Sequence, residues 1–344
     1  MNSGLPPNSE LSTAAPVTPL AYFALAILTA LLVALYRWAA TKIGVIDRPT
    51  QRSSHRRATV SGAGIVLAAV FLFLLTLLLY RNTIAVNIAW LFAMASCIAI
   101  FGWLDDRFHL SIRLRFAVYS IFAIASVALI GVQPPILAIA AALFVLAHVN
   151  LFNFMDGIDG LAICQAVFCC TAAAWLMQSN VASDLVPISA GLAAIGLGAL
   201  VWNWAPAKVF LGDAGSIFFG LSLAVLAIHS AVEGSLHFVT WLILFAAFIS
   251  DSAITLIARA LAGEKIYQAH RTHVYQLLAQ RLNSHAAVTC VYMLINLAFL
   301  LPLAMLAEHS ELRRYYYLSI AYVPLIVIVY SSRKRLLCFQ ADNL

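Results

Sequence analysis

The sequence predicts an all-α fold, a polytopic transmembrane helical bundle of about 10–11 helices. Three observations lead there. The 344 residues are 63% hydrophobic and only 10% charged, well outside the composition of soluble domains. Apolar runs of about 20 residues recur along the chain, the length that crosses about 30 Å of hydrocarbon as a helix. A sheet edge facing lipid would leave backbone groups unpaired, which excludes open β structure in such a setting. The chain reads as a single integral-membrane domain over 1–344, with the lipid bilayer as its surroundings and no room for a separate soluble domain. No nucleic-acid partner is expected.

Residues 1–19 form a polar tail. No basic residue precedes the first apolar run, unlike a signal peptide. Apolar runs then cover 20–37, 62–80, 84–104, 112–130, 135–151, 161–177, 185–201, 217–232, 238–260, 287–306 and 316–330. Each approaches the length of one membrane span. The largest connection, 261–286, reads as a cytoplasmic loop. The six cysteines fall mostly inside these runs, show no pairing pattern, and read as small packing residues.

Basic residues set the orientation. With the N-terminus outside, 17 of the 20 lysines and arginines fall on the inner side; only Arg81, Arg313 and Arg314 fall outside. The N-terminus is therefore expected outside and the C-terminus in the cytoplasm. The same topology, set without reference to acids, brings Asp47, Asp105, Asp106, Asp156, Asp159, Asp213 and Glu264 to the inner face. Asp251 alone lies inside a span, about 13 Å from its inner end at ~1.5 Å per residue. A carboxylate there needs a partner or a watery cleft.

Three clusters carry chemistry. Asp105-Asp106 closes the third run. Adjacent residues on a helix do not share a face, but a turned helix end aims both at one cleft, suiting metal or proton handling beside a phosphate. A polar helix stop is the bland alternative. Asn153, Asp156 and Asp159 are spaced by three and line one face if the segment is helical. Amides and carboxylates at that spacing, with Gly157 and Gly160, suit recognition of a base or ribose edge. The alternative is a capped loop with Asp159 as N-cap of the next helix. The third cluster is Asn203, Lys208, Phe210, Gly212, Asp213, Gly215 and Ser216. Here a helix is expected to begin near Ser216, its free N–H groups favouring phosphate oxygens. Asp213 suits a Mg2+ ligand, since Mg2+ takes one or two carboxylates and fills its shell with phosphate oxygens and water. Phe210 suits stacking on a base. In the late loop, His270, Arg271 and His273 suit phosphate contacts, with Arg271 as the forked donor; a surface histidine pair without a role is the alternative.

These residues resemble the polyprenyl-phosphate N-acetylhexosamine-1-phosphate transferases, glycosyltransferase family 4, which include the phospho-N-acetylmuramoyl-pentapeptide transferases. The resemblance runs from Gly44-Val45-Ile46-Asp47-Arg48-Pro49 and Arg52-Ser53-Ser54-His55, through Asp105-Asp106 and 153–162, to 210–216 and 270–273. It implies transfer of a HexNAc-1-phosphate from a UDP-N-acetylhexosamine to undecaprenyl phosphate, releasing UMP. It implies Mg2+, or Mn2+, as the cofactor, with Asp213 and Asp156 as the metal carboxylates. Asp105, Asp106 and Asp213 are then the catalytic residues. Asp47, Arg52, His55, Asn153, Asp156, Asp159, Asn203, Lys208, Phe210, His270, Arg271 and His273 are then the substrate-binding set. Asp251 is similar to an aspartate of the family's ninth helix. Members often form homodimers.

Two departures narrow the branch. The peptidoglycan branch's triple histidine is missing, which disfavours a pentapeptide sugar. The His-x-x-His-x-Tyr-Gln form looks most like the O-antigen-initiating branch, with GlcNAc or a deoxy-HexNAc such as FucNAc or QuiNAc as the sugar. Direct attack by the lipid phosphate, with Asp105 or Asp106 as general base, and a covalent aspartyl intermediate both remain open, the first being favoured because an ionised phosphate needs no covalent relay. A CDP-alcohol phosphotransferase is the nearest enzymatic rival, resembled only by 156–160. An ion-coupled transporter is the other, but transporter sites lie near the midplane, where only Asp251 is found.

Overall fold

The computed structural model describes residues 17–47, 58–180, 183–264 and 270–341. Its first five helices are α1 (Pro19–Ile43), α2 (Gly64–Tyr80), α3 (Val86–Phe108), α4 (Ile112–Ile130) and α5 (Pro135–Phe154). There follow α6 (Leu161–Asn180), α7 (Leu185–Asn203), α8 (Gly212–Glu233), α9 (Phe238–Leu244) and α10 (Ala246–Leu261). The last four are α11 (Val274–Leu282), α12 (His285–Ile295), α13 (Leu301–Glu308) and α14 (Arg314–Ala341). Among the described residues nine segments are long and apolar enough to span a membrane, and α12 to α13 counts as one of them. The bent pair α9 and α10 adds a tenth, and α2, at 17 residues, is a shorter apolar helix. The chain is a multi-pass helical membrane bundle.

Burial sorts the helices. In α8 every residue from Ala214 to Ile228 is buried, and α3, α5 and α2 pack around it. The outer helices instead expose large apolar side chains, such as Phe23 and Leu31 of α1, Ile121 and Ile124 of α4, and Val323 and Val327 of α14. A helix apolar on all sides belongs either in a core or in lipid; here α8 takes the first place and α1, α4 and α14 the second. Close approach at the inner end comes from small residues: a Cβ on Gly64 of α2 would overlap the backbone of Gly215 in α8.

Three features depart from the sequence reading. A short antiparallel pair, β1 (Ile46–Asp47) with β2 (Thr59–Val60), sits beside the bundle's site end. Helix α8 begins at Gly212, with Asp213 in its first turn, rather than near Ser216. The ninth run is not one helix but bends by 72° between α9 and α10. The bend frees the Leu244 carbonyl, which accepts from Gln165 Nε2 at 3.0 Å; Gln165 Oε1 in turn accepts from Asn296 Nδ2 at 2.6 Å. Asn296 opens a π-helical turn, Asn296–Leu300, that joins α12 to α13. Broken helices survive in a bilayer only where neighbours satisfy the freed backbone groups, and Gln165 does so here.

At the opposite end from the site, Glu308 closes the bundle. It accepts from Thr240 Oγ1 at 2.6 Å and from the His237 backbone N–H at 3.2 Å, and lies 2.8 Å from His237 Nδ1.

Candidate active site

The C-terminal ends of α3, α5 and α7 and the N-terminal end of α8 meet around two adjoining clefts. One, of about 280 Å³, is lined by Asp106, Asn153, Asp156, Asp159, Asn203, Phe210 and Asp213, together with Asp47. The other, of about 580 Å³, is lined by Asp105, Asp106, Arg107, His109, Arg115 and Asp213, again with Asp47. Asp47, Ser61, Asp106 and Asp213 line both. Residues far apart in sequence thus form the wall between two chambers.

Helix α3 continues to Phe108, so the two acids leave it in different directions, although both line the second cleft. Asp106 points to the start of α8, where Oδ1 accepts from the Asp213 N–H at 3.0 Å and Oδ2 from the Ala214 N–H at 3.5 Å. These are orphan donors of a helix N-terminus, so the anion at that terminus is Asp106 itself, where the sequence reading placed a phosphate. Gly212 permits the approach: its φ is +68°, and a side chain there would strike the Asp106 carboxylate. Asp105 turns away. It is 3% exposed, its Oδ1 accepts from the Leu110 N–H at 2.8 Å, and its Oδ2 lies 3.2 Å from Arg115 Nη1. The same nitrogen is 4.0 Å from Asp213 Oδ2.

Asp213 is oriented from α5. Asn153 Nδ2 donates to Asp213 Oδ1 at 2.8 Å and to Ser216 Oγ at 2.9 Å. Asp156 lies in the turn after α5, not on its helical face. Burial first, then the negative charges of Asp213, Asp106 and Asp159, holds its carboxyl well above the usual carboxylate range. Asp159 does not cap α6 through its side chain. Its Oδ2 accepts from the Ala207 N–H at 3.0 Å and lies 3.2 Å from His285 Nδ1, tying together the loops before α6, α8 and α12. Asn203 Oδ1 accepts from the Gly160 N–H at 3.0 Å and its Nδ2 donates to the Val209 carbonyl at 3.0 Å. Asn203 is thus a frame member as well as a lining residue.

Other sequence-derived candidates stand elsewhere. Lys208 is exposed, its ammonium 5.6 Å from the Trp202 ring centroid, outside both linings. Arg52 and His55 lie outside the described residues. His270 and His273 stack at 4.8 Å beside the start of α11, and with Arg271 they are absent from the lining of either cleft. Burial, then the positive charges of His273, Arg259 and Arg333, pushes His270 down to about 4. At neutral pH that ring carries no charge to offer a phosphate.

The late segment reaches the site by another route. Asp251, fully buried in α10, accepts from the Val274 N–H at 2.9 Å, the Tyr275 N–H at 3.0 Å and Tyr292 Oη at 2.6 Å. It is a cap for α11 supplied by a different helix, and this is the partner its depth requires. Capped there, α11 places Tyr275 under the 155–160 turn, with Tyr275 Oη donating to the Phe154 carbonyl at 2.8 Å. Gln276 and His285 then complete the first cleft. Arg115 and His285 carry no motif in a single sequence; Arg115 left a trace as one of the inner-face basic residues, and Gln276 as the last residue of the His-x-x-His-x-Tyr-Gln form.

Among the described residues no three His, Cys, Asp or Glu side chains gather as a self-sufficient metal cage. Mg2+ does not need one: it takes one or two carboxylates beside phosphate oxygens and water. Asp213 and Asp156 line one cleft with further oxygen donors, among them Asp106, Asp159 and Asn153, and no sulfur ligand. That donor set fits the ion.

Residues 87–231 match the family model "Glycosyl transferase family 4". The chain is 30% identical over 271 residues to an undecaprenyl-phosphate alpha-N-acetylglucosaminyl 1-phosphate transferase of Yersinia pestis, covering 70% of this chain and 71% of that one. It is 26% identical over 292 residues to a probable undecaprenyl-phosphate N-acetylglucosaminyl 1-phosphate transferase of Bacillus subtilis, covering 79% and 80%. With the Thermotoga maritima protein of the same description as the Yersinia one, identity is 28% over 248 residues, covering 71% and 76%.

Proposed function

We propose, for a chain that belongs to glycosyl transferase family 4, that it transfers an N-acetylhexosamine 1-phosphate from a UDP-sugar to undecaprenyl phosphate, releasing UMP at the cytoplasmic face. The observation that carries this reading is the shared wall. Two clefts meet at Asp106 and Asp213, one rich in carboxylates and amides, the other basic at Arg107 and Arg115. Two-substrate phosphoryl transfer needs such a junction, because both reactants are anions and catalysis is mostly positioning and charge neutralisation.

In this reading the nucleotide sugar occupies the first cleft, with Asn153, Asp159, Asn203 and Phe210 around the nucleotide. The lipid phosphate occupies the second, facing Arg115, and its tail runs along the apolar outer helices. The acceptor phosphate oxygen forms a bond to the donor's β-phosphorus while the bond from that phosphorus to the UMP oxygen breaks. Arg115 is the chain's own cation at the junction and offsets charge on the incoming phosphate. Asp106, already accepting two backbone N–H groups, acts by fixing the start of α8 rather than as the general base. Asp213 and Asp156 would hold Mg2+. When bound, the ion supplies charge neutralisation for the leaving phosphate oxygens.

The departures in the late motif favour an O-antigen-type donor, GlcNAc or a deoxy-HexNAc, and a bacterial inner membrane. The test is incubation of the purified protein with undecaprenyl phosphate and a panel of UDP-HexNAc donors, followed by mass measurement of the lipid and of released UMP. A lipid product heavier by HexNAc-phosphate is expected. Flux of an ion across proteoliposomes without UMP release would replace the reading by a transporter, and turnover with CDP-linked donors alone by a CDP-alcohol phosphotransferase.

A further inference from the structure

We propose that Gln276 is a specificity-determining residue: its side-chain carbonyl accepts a hydrogen bond from an N–H group of the nucleotide-sugar donor. This rests on the reading of the first cleft as the donor site and names a group that is read there.

Gln276 lines that cleft, is only 8% exposed, and is the third residue of α11. Its Oε1 is closed off from bulk water and has no hydrogen-bond partner among the described residues. Buried acceptors are nearly always paired, and an unpaired one destabilises by about 1–3 kcal/mol. One at the wall of a ligand cleft is therefore a vacancy for a ligand donor.

The orientation of the amide follows from its neighbour. Tyr275 Oη donates to the Phe154 carbonyl, which leaves the phenol oxygen to accept, and that oxygen and Gln276 Nε2 are the two nearest neighbours of a Cβ built on Gly157. The NH2 end therefore faces Tyr275 and Gly157, where Nε2 lies 3.0 Å from the position of a Cβ built on Gly157. The carbonyl end is the free one. The last torsion of a glutamine is soft, so that end can turn toward an arriving ligand while α11 stays fixed by Asp251.

The chemistry of the cleft selects the group. Sugar hydroxyls both donate and accept, and the cleft already has carboxylates in its lining, Asp106, Asp156, Asp159 and Asp213, to accept from them. An N–H can only donate. A neutral amide carbonyl takes it without adding another negative charge beside Asp156. A UDP-N-acetylhexosamine has two such groups, the imide of the base and the acetamide of the sugar.

The experiment compares full-length wild type and Gln276→Met in lipid nanodiscs, measuring binding of UMP, UDP-glucose and UDP-N-acetylglucosamine by calorimetry. Met keeps the volume and removes the acceptor. The expected result is a loss of about tenfold or more in affinity for UDP-N-acetylglucosamine, the cost of an unmatched buried N–H. If UDP-glucose and UMP lose as much, the imide is the group read. If both bind as before, it is the acetamide. Unchanged binding of all three overturns the inference and leaves the donor site standing. A wild type that binds none of the three overturns the donor-site reading, and this inference with it. If Gln276→Met lacks a cooperative melting transition, Gln276→Asn, which withdraws the carbonyl by one carbon, gives the same readings.

Discussion

Asp213 and Asp156 face the same cleft but are held differently, and their substitution should show it. Asp213 is oriented by Asn153, and an asparagine there still offers an oxygen to that amide. Asp213→Asn should therefore keep its melting temperature in detergent while transfer, followed as UMP release, falls by about 100-fold or more, the scale seen when one transition-state partner is removed. A variant with full turnover in Mg2+ would take Asp213 out of the site. For Asp156 the handle is pH. Its carboxyl sits well above the usual carboxylate range because of burial and neighbouring negative charge. The folded protein thus binds a proton that the unfolded chain has already released, and this group's contribution to stability declines as pH rises from the ordinary carboxylate range through the raised value. Metal binding needs the deprotonated form. Affinity for Mg2+ should therefore strengthen as pH rises through the raised value, with proton release visible as a buffer-dependent enthalpy. Binding that ignores both pH and buffer would exclude Asp156 as a ligand.

At the scale of elements, what holds the site are contacts between helices rather than within them. The cap on α11 comes from Asp251 in α10, and removing it leaves two backbone N–H groups and the Tyr292 hydroxyl without their acceptor. Loss of a capping residue costs about 0.5–2 kcal/mol in general. Asp251→Ala should accelerate hydrogen exchange across Val274–Leu282 and weaken nucleotide binding, with exchange in α8 unchanged; unaltered exchange in α11 would show that the cap is idle. A second element-scale joint is Gln165, which serves both the Leu244 carbonyl at the α9–α10 bend and Asn296 at the π-helical turn. Gln165→Leu strands both groups and should lower the melting temperature, by an amount matching about 1–3 kcal/mol. No change on thermal unfolding in detergent would mean that the bend is satisfied some other way.

For the whole molecule, hydropathy and charge made the architecture legible. Every apolar run became helical, the ninth as a bent pair and the tenth through a π-helical turn, because an apolar stretch of that length leaves the backbone one way to satisfy itself in lipid. The clustering of Asp106, Asn153, Asp156, Asp159, Asn203, Phe210 and Asp213 was also readable, since each closes or opens a run at the same end. The 72° bend at Phe245 was not: no proline or glycine marks it, and the Gln165 side chain that stabilises it lies 79 positions from Leu244. The trans-caps were hidden for the same reason, as was the role of Gln276, which depends on what Asp251 does to α11. Orientation is open to a direct check. Cys338 is exposed near the C-terminus, whereas Cys97 and Cys290 open onto apolar helix surface. With Cys338 as the single cysteine, a membrane-impermeant maleimide should label inside-out vesicles and spare intact spheroplasts. The reverse pattern would invert the assigned topology.

The start of α8 is completed by a carboxylate 107 positions earlier in the chain. A ribosome releases α3 into the bilayer long before α8 exists, so Asp106 must wait at the membrane edge with only water for company. Nascent chains arrested before Gly212 would carry that acid unengaged, and those arrested later would be the first able to retract it. The native start of α8 can therefore be completed only once the third and eighth helices are both in the bilayer.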